Sequence, residues 1–175
     1  MSRAAAHVAL VGLSGTGKST VAPLLAARRG TGSADLDRLV EAAAGRSVAT
    51  VFAELGEDGF RDLESAALAE VLAGPPVVLA TGGGVVVREA NRTALAGTCV
   101  VWLRAAPEEL VPRLLTSDEE RPLLAAAPLD RLRELDAARS GFYAALADVE
   151  VEVGGRDVGA VVEEIDRALD EVAAC

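Results

Sequence analysis

The sequence predicts an α/β fold in which a parallel β-sheet carries helices on both faces. Apolar runs of strand length alternate with longer stretches of helical period, and this alternation is typical of parallel sheets. The 175 residues suffice for one domain with a sizeable core, so we treat residues 1–175 as a single domain. Aromatic residues make up only 3% of the chain, so the core is expected to consist of Ala, Val and Leu.

Each element has its own local signal. Strands are predicted at 8–13, 77–81, 99–103 and 149–153, with a weaker one at 33–35. Helical patterns occupy 19–27, 36–44, 48–55, 61–72, 89–95, 107–115, 129–145 and 158–172. Pro107, followed by two glutamates, is typical of a helix start. The segment at about 116–128 has no pattern, which predicts either a functional lid or a disordered loop.

Charge and composition exclude several classes of function. The formal net charge of −10 discourages nonspecific binding to nucleic acid or to an anionic membrane. Two cysteines, Cys99 and Cys175, form neither a disulfide framework nor a metal-ligand set. His7 is the only histidine, which argues against histidine-based triads and multi-histidine zinc sites. We find no signal-peptide pattern and no membrane-spanning run, so the expected location is the cytoplasm.

The strongest motif is the run from Gly12 to Thr20, which reads GLSGTGKST and matches G-x-x-x-x-G-K-[ST]. It follows a predicted strand and opens a predicted helix, as a phosphate-binding loop requires. Lys18 is the only lysine in the chain, while the other 16 basic residues are arginine. A compact charge on a flexible stem therefore stands where phosphates would be bound. A GTPase is disfavoured, because a guanine-reading Asn-Lys-x-Asp motif would need a second lysine.

Four further features follow the loop. Asp35 and Asp37 end the weak second strand, where two carboxylates can point the same way, although either aspartate could instead cap a helix. Arg61 and Glu64 share one helix face, as a ligand site or as a solvated ion pair. Three glycines at 82–84 expose backbone N–H groups at the carboxyl end of a strand. Arginines also stand in the runs 121–124 (RPLL) and 139–143 (RSGFY).

Taken together, these motifs resemble the shikimate kinase family from residue 8 to about residue 172. The resemblance rests on the phosphate loop, Asp-x-Asp, the Gly-Arg at 45–46, Phe-Arg-x-x-Glu, Gly-Gly-Gly, Arg-Pro-Leu and Arg-x-x-x-Tyr, which occur in the family's order. It implies a three-layer P-loop kinase fold with a five-stranded parallel sheet and a mobile lid at about 116–128. The implied activity is transfer of the γ-phosphoryl group of ATP to the 3-hydroxyl of shikimate.

On the nucleotide side, the resemblance implies that the loop backbone and one lysine hold the ATP phosphates. This role falls to Gly15, Thr16, Gly17, Lys18, Ser19 and Thr20. One Mg²⁺ ion is implied with ATP, bound directly by Ser19 and through its water shell by Asp35. Arg156 is expected near the adenine, and Arg121 is expected to close on the transferring phosphate. Arg113 stands one residue off the spacing of an adenine-stacking arginine, so it is not assigned.

On the acceptor side, the resemblance implies that Asp37 contacts shikimate hydroxyls and acts as the base. Arg61 and Arg139 would clamp the carboxylate, Glu64 would orient them, and Gly83 would donate a backbone contact. The catalytic set is thus Lys18, Asp37 and Arg121. Planar guanidinium groups suit a carboxylate, and they would supply the local positive charge that an anionic substrate needs here.

Two other functions stay open on the sequence. One is a kinase of the same fold that acts on another hydroxylated acid or cyclitol, such as aminoshikimate or gluconate. The other is a regulatory module that binds ATP without phosphorylating anything. The sequence predicts a monomer, since it contains no coiled-coil heptads.

Overall fold

The computed structural model describes residues 6–116 and 127–174. It confirms the α/β prediction, because five strands in this part of the chain form one parallel sheet. The strands are β1 (Val8–Val11), β2 (Gly32–Asp35), β3 (Val77–Ala80), β4 (Cys99–Arg104) and β5 (Val149–Glu152). Arg121 and most of the segment expected to be a lid lie outside the described residues.

The strands are arranged in the order β2-β3-β1-β4-β5. The central strand β1 pairs with β3 on one side and with β4 on the other, so that Leu10 lies between Ala80 and Val101. All four residues of β1 are buried, because helices cover both faces of the sheet. This burial explains why β1 is a continuous apolar run rather than an alternating one.

Seven helices were found among the described residues, and they follow the predicted order. They are α1 (Lys18–Arg29), α2 (Leu36–Ala44), α3 (Val48–Leu72), α4 (Glu89–Leu95), α5 (Pro107–Leu115), α6 (Pro128–Leu146) and α7 (Val158–Ala174). The helices predicted separately at 48–55 and 61–72 form the single element α3, which is kinked at Gly56 (φ 70°, ψ −175°). A left-handed φ of this kind favours glycine, so the break in the helical pattern has a backbone cause. A short 3₁₀ turn at Val85–Val87 was not predicted.

Two apolar clusters, one on each face of the sheet, form the core. Val8 and Leu10 of β1 belong to the cluster that includes Leu25 of α1 and Ile165 of α7. Alternate residues of the same strand, such as Val11, belong to the cluster under α2 to α6. The protein therefore has three layers, with two helices on one face and five on the other. As predicted, Ala, Val and Leu dominate both clusters.

The topology brings three chemically distinct loops to one edge of the sheet. Parallel strands end on the same side, so the phosphate loop after β1, the aspartates after β2 and the glycines after β3 are neighbours.

In the described ranges, no helix is long and apolar enough to cross a membrane.

Candidate active site

The phosphate loop has the predicted strand–loop–helix form. Gly12, Gly15 and Gly17 have φ values of 141°, 87° and 92°, which a residue with a side chain rarely adopts. Helix α1 begins at Lys18, and no side chain caps it, so an anion can take that place. Lys18 Nζ donates to the Gly12 carbonyl at 2.7 Å and to the Leu13 carbonyl at 2.8 Å. The ammonium group is thus held inside the loop where phosphates would enter.

Ser19 and Asp35 meet across α1 and β2. Ser19 Oγ donates to Asp35 Oδ2 at 2.6 Å, while Asp35 Oδ1 accepts from the backbone N–H groups of Asp37 and Arg38. Asp35 therefore caps α2, which confirms one of the two alternatives left open by the sequence. A hydroxyl and a carboxylate side by side form a small set of hard oxygen donors, the chemistry that magnesium prefers.

Asp37 lies in the first turn of α2 and not on an extended segment. The expectation that Asp35 and Asp37 project from one strand is therefore wrong in its geometry, because β2 ends at Asp35 and the chain turns at once into the helix. Asp37 nevertheless lines the cleft, as predicted. Leu36 between them is fully buried in the core. The turn thus directs the side chain of Leu36 into the core, while the carboxylates of Asp35 and Asp37 line the cleft.

Arg61 and Glu64 form a buried ion pair rather than a solvated one. Arg61 donates to Glu64 Oε2 at 2.7 Å, and their side chains are only 5% and 0% exposed. Burial raises the pKa of Glu64, an effect that the neighbouring charge of Arg61 opposes. In the described residues, Oε1 of Glu64 and Nε of Arg61 have no hydrogen-bond partner. Such unused polar capacity in a cleft is suited to meeting a ligand.

The three glycines after β3 let the backbone approach charged side chains. A Cβ on Gly82 would lie 2.7 Å from Oε1 of Glu64 and 3.2 Å from Oδ1 of Asp37. A Cβ on Gly84 would overlap the Arg61 guanidinium. Lack of space explains these two positions, and neither has the left-handed φ found in the phosphate loop. The two carboxylate oxygens therefore converge on the same point of the backbone.

Arg139 enters the same cleft from α6 and is buried. Burial lowers its pKa, and the nearby charge of Arg61 lowers it further. Two guanidinium groups thus face one pocket from different helices. This arrangement suits a bidentate anion such as a carboxylate.

Arg156 and Arg113 also line the cleft. Arg156 pairs with Glu164 at 2.6 Å and donates to the Glu152 carbonyl. Arg113 donates to the Gly15 carbonyl at 3.4 Å and to the Val153 carbonyl at 3.2 Å. Arg113 was left unassigned on its spacing, yet the structure places it beside the phosphate loop. The two carbonyls belong to loops far from Arg113 in the sequence. Its place in the cleft therefore depends on how α5 packs, which sequence spacing does not indicate.

Together these groups line one cleft of about 950 Å³. Its lining contains six cationic residues and four acidic ones, although the whole chain carries a net charge of −10. Phe52 and Phe60, stacked with ring centroids 4.5 Å apart, add an apolar wall that sequence reasoning missed. Arg121 lies outside the described residues, so its predicted place in the site stays a prediction.

Comparison with known proteins gives a consistent result. A family model for shikimate kinase matches residues 14–170. A shikimate kinase from Symbiobacterium thermophilum is 49% identical over 168 residues, covering 94% of this chain and 97% of the relative. A shikimate kinase from Rhodopirellula baltica is 41% identical over 93% of this chain and 89% of the relative. The chain belongs to the shikimate kinase family.

Solved structures agree with this family assignment. The shikimate kinase from Acinetobacter baumannii, determined in complex with shikimate, superposes with a TM-score of 0.91 at 31% identity. The match covers 95% of this chain and 94% of that one. A gluconokinase from Sinorhizobium meliloti has a TM-score of 0.65 at 20% identity and shares the fold alone. The family assignment and the enzyme class predicted from the sequence, an ATP-dependent kinase, are thereby confirmed.

Proposed function

We propose that this protein transfers the γ-phosphoryl group of ATP to the 3-hydroxyl of shikimate, giving ADP and shikimate 3-phosphate. The observation that carries this proposal is the meeting of a phosphate loop with Asp37, Arg61 and Arg139 in one cleft. A phosphate loop alone would bind a nucleotide. A carboxylate and two buried guanidinium groups in the same cleft add the means to hold a hydroxylated acid beside it. The family's relatives named above support the same substrate.

At the nucleotide end, we assign the ATP phosphates to Lys18 and the backbone amides from Gly15 to Thr20. The glycine conformations and the uncapped start of α1 support this role. Arg156 is proposed to lie beside the adenine, and the position of Arg113 supports adding that residue to the nucleotide site. Stacking of a planar guanidinium on a base is favourable.

We assign one Mg²⁺ ion to Ser19 and Asp35. The hydroxyl of Ser19 and the carboxylate of Asp35 fit a hard cation. In the described residues, no group of three or more His, Cys, Asp or Glu side chains could hold an ion by itself. Magnesium sites of this kind take most of their ligands from phosphates and water. Ser19 would ligate directly and Asp35 through water, and the ion would neutralise charge on the phosphates.

At the acceptor end, Arg61 and Arg139 would bind the carboxylate, with Glu64 orienting Arg61. Gly83 would donate its backbone N–H to the acceptor, and Asp37 would accept a hydrogen bond from the attacking hydroxyl. As the hydroxyl oxygen attacks the γ-phosphorus, the proton passes to Asp37 and the bond to the ADP oxygen breaks. Catalysis in this scheme consists of positioning and charge stabilisation. Arg121 is proposed to stabilise the transferring phosphate.

We further propose that residues 1–175 act as one monomeric domain in the cytoplasm, where ATP is supplied. The coverage of 97% of a relative's length supports the domain extent. The net charge of −10 supports the absence of nucleic-acid and membrane partners. Sedimentation analysis at several concentrations tests the monomer.

The deciding experiment is a coupled ADP-release assay with MgATP and one acceptor at a time. Shikimate should give the highest kcat/KM, while quinate, gluconate and a no-acceptor control should give little release. Highest activity with gluconate would replace shikimate by another hydroxylated acid. ADP release that ignores the acceptor, or no release at all, would leave a nucleotide-binding module. Identification of the product as a 3-phosphate by NMR completes the test.

A further inference from the structure

Tyr143, the only tyrosine of the chain, is fully buried near the C-terminal end of α6. Its ring packs against Trp102, with ring centroids 5.7 Å apart. Its hydroxyl donates a hydrogen bond to the carbonyl of Gly83. Phenylalanine would fill the same space with the same ring, so packing alone does not explain the hydroxyl. A buried hydroxyl costs free energy unless it is bonded, which directs attention to what this bond holds in place.

The hydroxyl is also close to Arg139, one turn earlier on the same helix. Burial raises the pKa of Tyr143 to about 12, even though the charge of Arg139 acts to lower it. Tyr143 therefore stays protonated at physiological pH and always has a proton to donate to the Gly83 carbonyl. One side chain thus lies between a guanidinium group and a backbone segment that both face the cleft.

Gly83 is packed tightly against the phosphate loop. A Cβ on Gly83 would lie 3.3 Å from the backbone N of Ser14 and 3.4 Å from the carbonyl O of Gly12. A small displacement of Gly83 would consequently change its position relative to both the acceptor and the phosphates. The hydroxyl of Tyr143 donates to the carbonyl of Gly83 and so ties this residue to α6.

Helix α6 also contacts the segment that follows Gly83, through a second side chain. Phe142 stacks under Arg92, whose guanidinium lies 4.3 Å from the ring centroid. Arg92 in turn donates to the carbonyls of Val86 and Val87. Consecutive residues of α6 therefore fix the segment after β3 at two points, one direct and one through Arg92. The helix that carries Arg139 and the segment that carries Gly83 are linked in this way.

We propose that Tyr143 is a positioning residue for phosphoryl transfer, whose hydroxyl fixes the Gly83 backbone relative to Arg139 and the phosphate loop. The acceptor carboxylate, bound by Arg139, and the acceptor contact at Gly83 are then held at a set distance from the phosphates. This inference rests on the proposed function. It assigns Tyr143 no contact with the reacting atoms, so its effect is on orientation rather than on proton transfer.

The test is Tyr143→Phe, which removes the hydroxyl and keeps the ring. Because misplacement of a bound substrate by a fraction of an ångström is costly, kcat/KM for shikimate should fall about 10- to 100-fold. The dissociation constant of MgADP, measured by calorimetry without acceptor, should not change. Hydrogen exchange of the backbone amides in the segment 82–87 should become faster.

Thr98→Val is the matched control. Thr98 is a buried residue whose hydroxyl donates to the Leu95 carbonyl at 2.8 Å, and it does not line the cleft. This variant also loses one buried hydroxyl bond to a backbone carbonyl, so it reports on a purely structural loss. It should unfold at a lower urea concentration while keeping both the kinetic constants and the exchange rates of segment 82–87.

Several results would overturn the proposal. Unchanged kcat/KM in Tyr143→Phe would do so, as would an equal loss of shikimate turnover and MgADP affinity, or the same kinetic loss in Thr98→Val. If wild-type protein fails to phosphorylate shikimate, the proposed function is refuted and this inference with it. If the wild type phosphorylates shikimate and Tyr143→Phe does so with the same kcat/KM, only this inference is refuted.

A measurement on the wild-type protein keeps the proposal testable if the variant does not fold. Selective ¹³C labelling of the single tyrosine gives one Cζ resonance, which is sensitive to the hydrogen bond of the hydroxyl. Shikimate should shift this resonance, and MgADP alone should leave it in place. A resonance that ignores shikimate, or that moves equally with MgADP, contradicts the proposal.

Discussion

Two arginine–carboxylate sites in this protein have contacts of similar length and opposite surroundings. In the cleft, Arg61 donates to Glu64 at 2.7 Å, and both side chains are buried. On the opposite face of the sheet, Arg28 and Arg29 of α1 each donate to Asp166 of α7 at 2.6 Å, and the side chains of this surface cluster are 20–49% exposed. The contact distances do not distinguish the two sites, whereas the exposure of their side chains does.

The two sites also differ in how fully they use their hydrogen-bonding groups. Both carboxylate oxygens of Asp166 accept from an arginine. In the described part of the chain, Glu64 Oε1 and Arg61 Nε have no partner, at a place where unpaired polar groups are costly. The surface cluster therefore joins two helices, and the buried pair keeps capacity for a ligand.

Asp37→Asn should have the largest effect on turnover. Asparagine is nearly isosteric and can hydrogen-bond to a hydroxyl, but it cannot take up the proton. We expect kcat to fall roughly 10²- to 10⁴-fold, the usual contribution of a positioned acid–base group, with ATP binding retained. Steady-state rates beside calorimetry provide the measurement. Asp166→Asn is the control, and near-normal turnover of Asp37→Asn would show that Asp37 is not the base.

Arg139→Ala should raise the KM for shikimate far more than the KM for ATP. Loss of one of two guanidinium partners in a desolvated pocket costs on the order of 2–5 kcal/mol. The control Arg28→Ala removes an arginine of comparable size from the surface cluster, and it should leave both KM values unchanged. A parallel loss of ATP affinity in Arg139→Ala would place that residue on the nucleotide side instead.

Glu64→Gln should reveal a pH dependence of stability set by burial. Because burial raises the pKa of Glu64 above its usual 4.5, the folded state binds this proton more tightly than the unfolded state does. The stability that Glu64 contributes is thus fully present below pH 4.5 and declines as the pH rises through the raised value. Groups that face it include Arg61, Arg139 and Asp37. The stability of the wild type relative to Glu64→Gln should therefore decrease with rising pH.

Asp166→Asn should show the smallest effect, with the opposite sign. Hydrogen bonding from Arg28 lowers the pKa of Asp166 below its usual 3.8, so its contribution is present above pH 3.8 and is lost as the pH falls through the lowered value. The free-energy loss at neutral pH should be about 0.5–1 kcal/mol, as for exposed ion pairs. Urea unfolding of both variants at several pH values tests the pair, and slopes of equal sign would contradict the distinction.

Most of the fold was accessible from local sequence patterns. The bounds of all five strands were predicted within two residues, and the order of the helices was predicted correctly. Both succeed because apolar runs and helical period reflect burial on a sheet and on a helix face. The exceptions have local causes as well. Gly56 broke a helical pattern that the chain continues after a kink, and the cap at Asp35 replaced a presumed extension of β2.

Local patterns in the sequence suffice to predict the elements and the phosphate loop, because glycines at fixed spacing before a helix already define a conformation. It also placed Arg61 and Glu64 on one helix face. Packing of distant elements, by contrast, buries this pair, brings Arg113 into the cleft beside Val153, and lets Tyr143 hold Gly83. The contacts of Arg113 with Val153 and of Tyr143 with Gly83 join residues far apart in the chain, whereas Arg61 and Glu64 are neighbours whose burial depends on the surrounding elements. They depend on how helices pack on the sheet, which no local spacing encodes.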